Sequence, residues 1–265
     1  MRRALASAGL LACVLCAGPG HAADALWNGV YAGANAGSLS SRMCSTWTGS
    51  GSGASSAAIA SFYTPACASS GAFAGGFQIG DNFQIERFAW GVGLDLEFPR
   101  SSNPTQTYRY ALPLPPTAPL GTYTFTGRES PNVLSIFSAR FGYAGNEWQP
   151  YVRAGGVLAG GSQDASITYL PEGATRSTAS FVGGRSFSSA GWAAGGGADF
   201  GLHGPWSISA EYLRVELGKG SSSTAACSGS VPNCAAFTGI SLDNSHKAFS
   251  ANLVRISINY WFDYW

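Results

Sequence analysis

The sequence contains few charged residues. Lys, Arg, Asp and Glu make up 11% of its 265 residues, against about 25% in an average soluble domain. The formal net charge is +1, which excludes the strongly basic surface that nucleic-acid binding requires. No uncharged apolar run of about 18 residues occurs, so a membrane-spanning helix is also excluded. The three His residues offer few candidates for a catalytic base.

Hydrophobic and small residues are abundant instead. The chain is 45% hydrophobic and 13% aromatic, with 36 Gly and 13 Pro. A hydrophobic composition with little charge is the opposite of a disordered one. We therefore expect an all-β wall that faces something other than water.

The N-terminus has the features of an export signal. Arg2 and Arg3 precede an apolar stretch at 4–17, and small residues surround Ala22. This pattern predicts a signal peptide at 1–22 and a mature domain at 23–265. Removal of this signal peptide takes away two Arg and changes the net charge from +1 to −1. Cleavage after Ala25 and a lipoprotein signal ending at Cys13 are the alternatives.

Four cysteines remain after removal of the signal: Cys44, Cys67, Cys227 and Cys234. In an exported chain they indicate an oxidising compartment and two disulfides. Proximity in sequence favours Cys44 with Cys67 and Cys227 with Cys234. Free or differently paired thiols are the alternative. The spacings fit no common zinc site, and we expect no metal and no cofactor.

Eight segments of the mature chain alternate between apolar and small or polar residues. Such alternation is typical of β-strands. In the third segment, Phe88, Trp90 and Val92 alternate with Ala89 and Gly91. The segments, each of about 11 to 16 residues, are long enough to cross a bilayer at a tilt. They lie at 27–41, 71–84, 88–98, 132–143, 148–160, 190–202, 206–217 and 247–262.

The connections between these segments alternate in length. Three are short, at 85–87, 144–147 and 203–205. Four are long, at 42–70, 99–131, 161–189 and 218–246. Long loops on one side and short turns on the other are typical of outer-membrane barrels. The sequence therefore predicts an eight-stranded antiparallel up-and-down transmembrane β-barrel with four long extracellular loops and three short periplasmic turns.

The polar face of these segments carries three Arg and four carboxylates. An eight-stranded barrel encloses only enough space for side chains, and buried charges need partners. We therefore expect a charge network that fills the lumen, with solvated charges near the rims as the alternative. Its members are Asp95, Glu97, Arg140, Arg153, Asp199, Glu211 and Arg255.

The opposite face carries the aromatic residues that we expect to contact lipid. Trp and Tyr anchor membrane proteins at the boundary between lipid and water. The expected anchors are Trp90, Trp148, Trp192, Trp206, Tyr260 and Phe262. The expected partners on this face are outer-membrane lipid and lipopolysaccharide.

Several motifs resemble a known family. The stretch WNGVYAGANAG at 27–37 resembles the first strand of the alphaproteobacterial outer-membrane immunogenic proteins, the RopB-type small porin-like barrels. The junction at 22–25 and the stretch PYVRAGG at 150–156 are similar to members of that family. The alternation at 256–262 looks like the signal read by the barrel-assembly machinery, although Asp263, Tyr264 and Trp265 follow it. The resemblance implies a Gram-negative outer-membrane location and assembly by that machinery.

The sequence specifies the function less closely than the fold. Our first hypothesis is a non-enzymatic barrel that braces the envelope and displays its loops to a host or surface ligand. A small-solute channel and a surface adhesin or haem-binding protein are alternatives. An enzyme would need a positioned base; His203 falls in a predicted short turn, and His246 lies near Asp243 and Ser245. We expect no catalytic residues.

Overall fold

A computed structural model describes residues 27–51, 63–101, 105–110, 121–171, 173, 175, 179–218, 220–224 and 240–262. The predicted signal peptide at 1–22 and the cysteines Cys227 and Cys234 lie outside these ranges. No helical segment with the length and hydropathy of a membrane span occurs in the described part of the chain.

The elements of the described residues are β-strands. In chain order they are β1 (Gly29–Gly51), β2 (Tyr63–Ile85), β3 (Phe88–Ser101), β4 (Thr105–Tyr110), β5 (Gly121–Tyr143), β6 (Trp148–Pro171), β7 (Ala179–Gly201), β8 (Trp206–Leu217), β9 (Gly220–Thr224) and β10 (Ile240–Trp261).

These strands form one closed antiparallel barrel. The order around the sheet is β1, β2, β3, β5, β6, β7, β8 and β10, and β10 also pairs with β1, which closes the sheet. The short strand β4 follows β3 and pairs with β5, while β9 follows β8 and pairs with β10. The ten strands thus occupy eight positions around the barrel, which confirms the predicted fold class.

The register around the barrel fixes the strand tilt. The line of paired residues that starts at Ala32 of β1 passes through all eight positions and returns to β1 at Arg42, ten residues further on. Eight strands with this stagger tilt by about 40° from the barrel axis, as closed barrels commonly do. The interior is then wide enough for side chains alone.

The three short turns lie where the alternation places them, at 86–87, 144–147 and 202–205. The lengths predicted for the strands were wrong. Six of them have 22 to 24 residues, so much of each segment predicted as a long loop is strand. Outside a bilayer both faces of a strand can be polar, so pairing continues after apolar alternation has ended.

The outer wall has two zones. From the short turns to about ten residues along the strands, large apolar side chains point outwards, as at Phe88, Trp90 and Phe98 of β3. Ten residues of tilted strand rise about 25 Å, the height of the apolar band of an outer-membrane barrel. Farther from the turns, the exposed outward residues are largely polar, and include Ser40, Arg42, Ser69, Arg100, Arg128 and Asp164. The strands therefore continue well beyond the apolar band.

Candidate functional site

The seven charged residues assigned to the lumen all lie on the inner face of the barrel. Strand alternation points them inwards, and none is more than 9% exposed. They come from β3, β5, β6, β7, β8 and β10, so ion pairs among them connect strands that are distant in sequence. The structure therefore brings all seven together in the apolar-banded half of the barrel.

Arg255 and Arg153 hold the larger of two groups of ion pairs. Arg255 Nη2 lies 3.0 Å from Asp95 Oδ1 and 2.9 Å from Glu211 Oε1, and Arg255 Nη1 pairs with Glu97. Arg153 Nη1 lies 3.1 Å from Glu211 Oε2, and Arg153 Nη2 pairs with Asp95. Asp95 and Glu211 are thus shared by both arginines.

Arg140 holds the second group, nearer to the short turns. Its guanidinium pairs with Asp199 and donates a hydrogen bond of 3.1 Å to Gln149 Oε1. Its Cζ lies 3.9 Å from the ring centroid of Tyr151, a cation–π contact. The Tyr151 hydroxyl donates to Glu211 Oε2 at 2.8 Å, so this tyrosine links the two groups.

Two glycines make room for the tyrosines of the lumen. Tyr31 lies beside Gly80 on β2, where an added Cβ would be 2.5 Å from the ring. Tyr151 lies beside Gly197 on β7, where an added Cβ would be 3.0 Å from the hydroxyl. The absence of side chains at Gly80 and Gly197 thus allows the aromatic rings to lie across the lumen.

An apolar layer fills the lumen on the side of the charge network away from the short turns. We define it as the buried cluster Leu39, Met43, Ala74, Leu134, Ile136, Val157, Ala159, Ala193, Leu213, Val215, Leu217, Phe249, Ala251 and Leu253. The sequence analysis missed this layer. In β8 the apolar residues change face after Tyr212, and this reversal at Leu213 was a signal that could have revealed it.

An aromatic cluster closes the lumen at the short-turn end. It consists of Trp27, Tyr31, Ala144 and Trp261, each less than a tenth exposed. The Trp27 and Trp261 rings meet edge to face at 5.9 Å. Their indole N–H groups donate to the Gly145 carbonyl oxygen and to Ser207 Oγ. The described lumen is therefore filled at three successive levels.

The six expected anchor residues lie on the outer wall, each between 37% and 55% exposed. Trp90, Trp148, Trp206, Tyr260 and Phe262 are near the short turns. Trp192 lies nine residues along β7 from its short-turn end and is paired with Glu216. The anchors thus lie near both edges of the apolar band.

Arg214 and Glu216 form a polar cluster on the outer wall at the edge farther from the turns. Arg214 Nε donates to Glu216 Oε1 at 2.8 Å, and its Nη1 donates to Asn252 Oδ1 at 3.0 Å. These side chains are partly exposed, unlike the ion pairs of the lumen.

Cys44 and Cys67 form a disulfide between directly paired residues of β1 and β2. This bond lies in the part of the hairpin beyond the apolar band.

The backbones of two histidines, His203 and His246, lie within the described residues. His203 is exposed in the turn between β7 and β8. The backbone of His246 lies in β10, paired with Ser45. Within the described ranges, no group of three or more His, Cys, Asp or Glu side chains is placed to hold a metal ion.

Several solved structures are similar to this chain. Similar solved structures include the outer membrane protease OmpT from Escherichia coli (8% identity, TM-score 0.44) and OprG from Pseudomonas aeruginosa (9%, 0.38). The Neisserial surface protein A is another (12%, 0.34). Each comparison covers 88% of this chain and 97% of the other. No curated protein was found to match.

The model of the family described as outer membrane protein beta-barrel domain matches residues 8–260. Together with the closed sheet, this match identifies an integral barrel of the bacterial outer membrane. The chain belongs to the outer membrane protein β-barrel domain family.

Proposed function

We propose that this protein is a non-enzymatic, non-conducting barrel that braces the outer membrane and displays its projecting hairpins at the cell surface. The observation that supports this proposal is the filling of the lumen. An ion entering it meets the aromatic cluster, the charge network and the apolar layer in turn.

The charge network is a strong barrier because its groups are paired with one another. Buried guanidinium and carboxylate groups have lost hydration, and breaking one pair leaves another charge unpaired in a medium of low dielectric constant. Asp95 and Glu211 each contact two arginines, so displacing one guanidinium disturbs several pairs. A permeating ion would have to cause that disruption.

Single-channel recording in planar bilayers tests this proposal. The folded protein, checked by its heat-dependent mobility on gels, should add no steady conductance above that of the lipid alone. A general porin reconstituted in the same bilayers serves as the positive control. Steady ohmic openings that scale with the amount of folded protein would refute the plugged lumen and favour the small-solute channel.

We propose that the short turns face the periplasm and the projecting hairpins face the exterior. The polar outer surface of the hairpins beyond the apolar band supports this orientation. In intact cells, a membrane-impermeant maleimide should label Asp164→Cys on β6 but not Asn146→Cys in a short turn, with the parent protein as background. The reverse pattern would contradict the orientation.

N-terminal sequencing should find Ala23 first if residues 1–22 are a signal peptide.

The proposed partners follow from this position. Lipid and lipopolysaccharide would cover the apolar band, and a host or surface ligand would contact the hairpins. We propose that the barrel-assembly machinery reads the end of β10, where Tyr260 and Phe262 point outwards. Phe262→Ala should then reduce the amount of folded barrel in the membrane relative to the parent, without changing the amount synthesised.

On the basis of its first strand, we also propose that this protein belongs to the narrower alphaproteobacterial RopB-type family. Trp27 and Tyr31 belong to the aromatic cluster. An added Cβ at Gly37 would lie 2.1 Å from the carbonyl oxygen of Val254. The residues that carry the resemblance thus have defined packing roles in this barrel.

The absence of enzymatic activity is also a proposal. Among the described residues, His203 makes no hydrogen bond with a hydroxyl group that could act as a nucleophile. Lipid A from cells with His246→Ala should have the same mass spectrum as lipid A from cells with the parent protein. A change that depends on His246 would favour an enzyme.

A further inference from the structure

A cavity of about 300 Å³ opens at the short-turn end of the barrel. Its walls include Trp27, Trp206 and Trp261, together with Glu147 and His203. Trp27 and Trp261 belong to the aromatic cluster inside the mouth, whereas Trp206 is 44% exposed on the lipid face. The cavity therefore connects the mouth of the barrel with the edge of the surrounding membrane.

The walls of this cavity are held by backbone hydrogen bonds. The Gly201 amide donates to the Glu147 carbonyl oxygen, and the Leu202 amide donates to the Trp206 carbonyl oxygen, each at 2.8 Å. Gly204 has a φ of +73°, a left-handed conformation that favours glycine. The turn from Leu202 to Pro205 is thus fixed against the neighbouring turn that contains Glu147, and the cavity is preformed.

The chemistry of the lining points to a cation. Indole rings attract ammonium groups through their negative faces, and Trp does so best among the aromatic residues. Glu147 adds a carboxylate that forms no ion pair or side-chain hydrogen bond with other described residues. A primary ammonium group can donate to this carboxylate while it lies beside Trp206, the most exposed of the three tryptophans. His203, on the same wall, can donate an N–H to an adjacent phosphate.

We propose that this cavity binds the headgroup of a phospholipid with a primary ammonium, of the phosphatidylethanolamine class. The ammonium group pairs with Glu147 beside Trp206, the phosphate faces His203, and the acyl chains leave past Trp206 into the leaflet that meets the short turns. This site is independent of the proposed orientation, because it requires only that the short-turn end meets a leaflet.

Solution NMR of the folded barrel in maltoside micelles tests the site. Dihexanoyl phosphatidylethanolamine should cause saturable shifts in the amide signal of Gly204 and the indole signals of Trp27 and Trp206. Dihexanoyl phosphatidylglycerol has the same chains and no ammonium, and should cause no saturable shift. Equal responses to the two lipids would show insertion of acyl chains only and would overturn the proposal.

Substitutions test whether Glu147 supplies the carboxylate that pairs with the ammonium group. Glu147→Gln should weaken the apparent affinity for dihexanoyl phosphatidylethanolamine about fivefold, as expected for the loss of one partly exposed ion pair. Glu86→Gln, in the turn between β2 and β3 and outside the cavity, should bind like the parent. Unchanged binding by Glu147→Gln would overturn the assignment. Equally tight binding of dihexanoyl phosphatidylcholine would contradict the requirement for a primary ammonium group. Equally tight binding of free phosphoethanolamine would show that the ligand is a soluble molecule and not a lipid.

Discussion

At the scale of single residues, the ion pairs of the lumen differ in burial from the ion pair on the outer wall. Arg255 is almost completely buried and contacts three carboxylates. Arg214, on the outer wall, pairs with Glu216 and retains 38% of its side-chain exposure. Removing a buried partner leaves charges without compensation, whereas an exposed pair contributes little.

Arg255→Met should therefore lower the free energy of unfolding by about 3–5 kcal/mol. The matched change Arg214→Met should lower it by less than about 1 kcal/mol. Urea unfolding in lipid vesicles, followed by tryptophan fluorescence, measures both values. Equal effects of the two substitutions would show that the lumen network is solvated, which is the alternative suggested by the sequence.

The packing of Tyr31 over Gly80 gives a second residue-scale prediction. In Gly80→Ala the added methyl would lie 2.5 Å from the Tyr31 ring, and the ring would have to move within a closely packed mouth. Overpacking of this kind costs about 1–3 kcal/mol. Gly75→Ala is the control because its nearest contact would be an ordinary 3.5 Å. The same unfolding assay should show a loss for Gly80→Ala alone.

At the scale of strands, the sequence predicts position better than length. The apolar alternation of 88–98 and 206–212 identified the segments that cross the membrane, because lipid on one face and the lumen on the other impose a period of two. Beyond the apolar band this contrast is lost. In β5 the stretch at 122–126 alternates Thr with Tyr123 and Phe125, residue types that favour strands, but this alternation is short, and the strand was predicted to start at 132.

The sequence predicted the charged residues of the lumen but not its apolar layer. Strand alternation alone places Asp95, Arg153 and Arg255 inside. The partners of each arginine depend on the stagger of ten residues around the barrel, which no local pattern encodes. The apolar layer reverses the expected faces of β8 at Leu213, since the interior there is packed with apolar side chains instead of paired charges.

The disulfide between Cys44 and Cys67 should act on the first hairpin and leave the membrane-embedded barrel unchanged. The bond lies beyond the apolar band and closes a short span of 23 residues, so it mainly restricts the local opening of this hairpin. Replacing both cysteines with Ser should increase the rate of proteolytic cleavage within the β1–β2 hairpin. Heat-dependent gel mobility, which reports the closed barrel, should be retained. Loss of that mobility shift would show that the disulfide is required for the whole fold.

At the scale of the whole molecule, the barrel combines a membrane-embedded half with a projecting half on the same strands. The embedded half has an outer wall of aromatic and aliphatic side chains, and its lumen holds the paired charges next to apolar and aromatic side chains. In the projecting half, strand pairing continues while the outer surface becomes polar. The boundary between the two is set on the outer wall by residues such as Phe73 and Trp192.

The position of this boundary predicts how the effect of a charge on the outer wall depends on depth. Ile256 and Phe73 are almost equally exposed, at 63% and 61%, so loss of packing is similar at the two sites. Ile256 is paired with Ala36 and Ala210 in the middle of the band, whereas Phe73 is paired with Ser38 and Arg100 at its edge. Ile256→Arg should lower the free energy of unfolding in vesicles by about 2–4 kcal/mol, and Phe73→Arg by about 0–1 kcal/mol. If Phe73→Arg were the more costly change, the membrane would extend farther along the strands, and the polar surface now assigned to the exterior would lie within it.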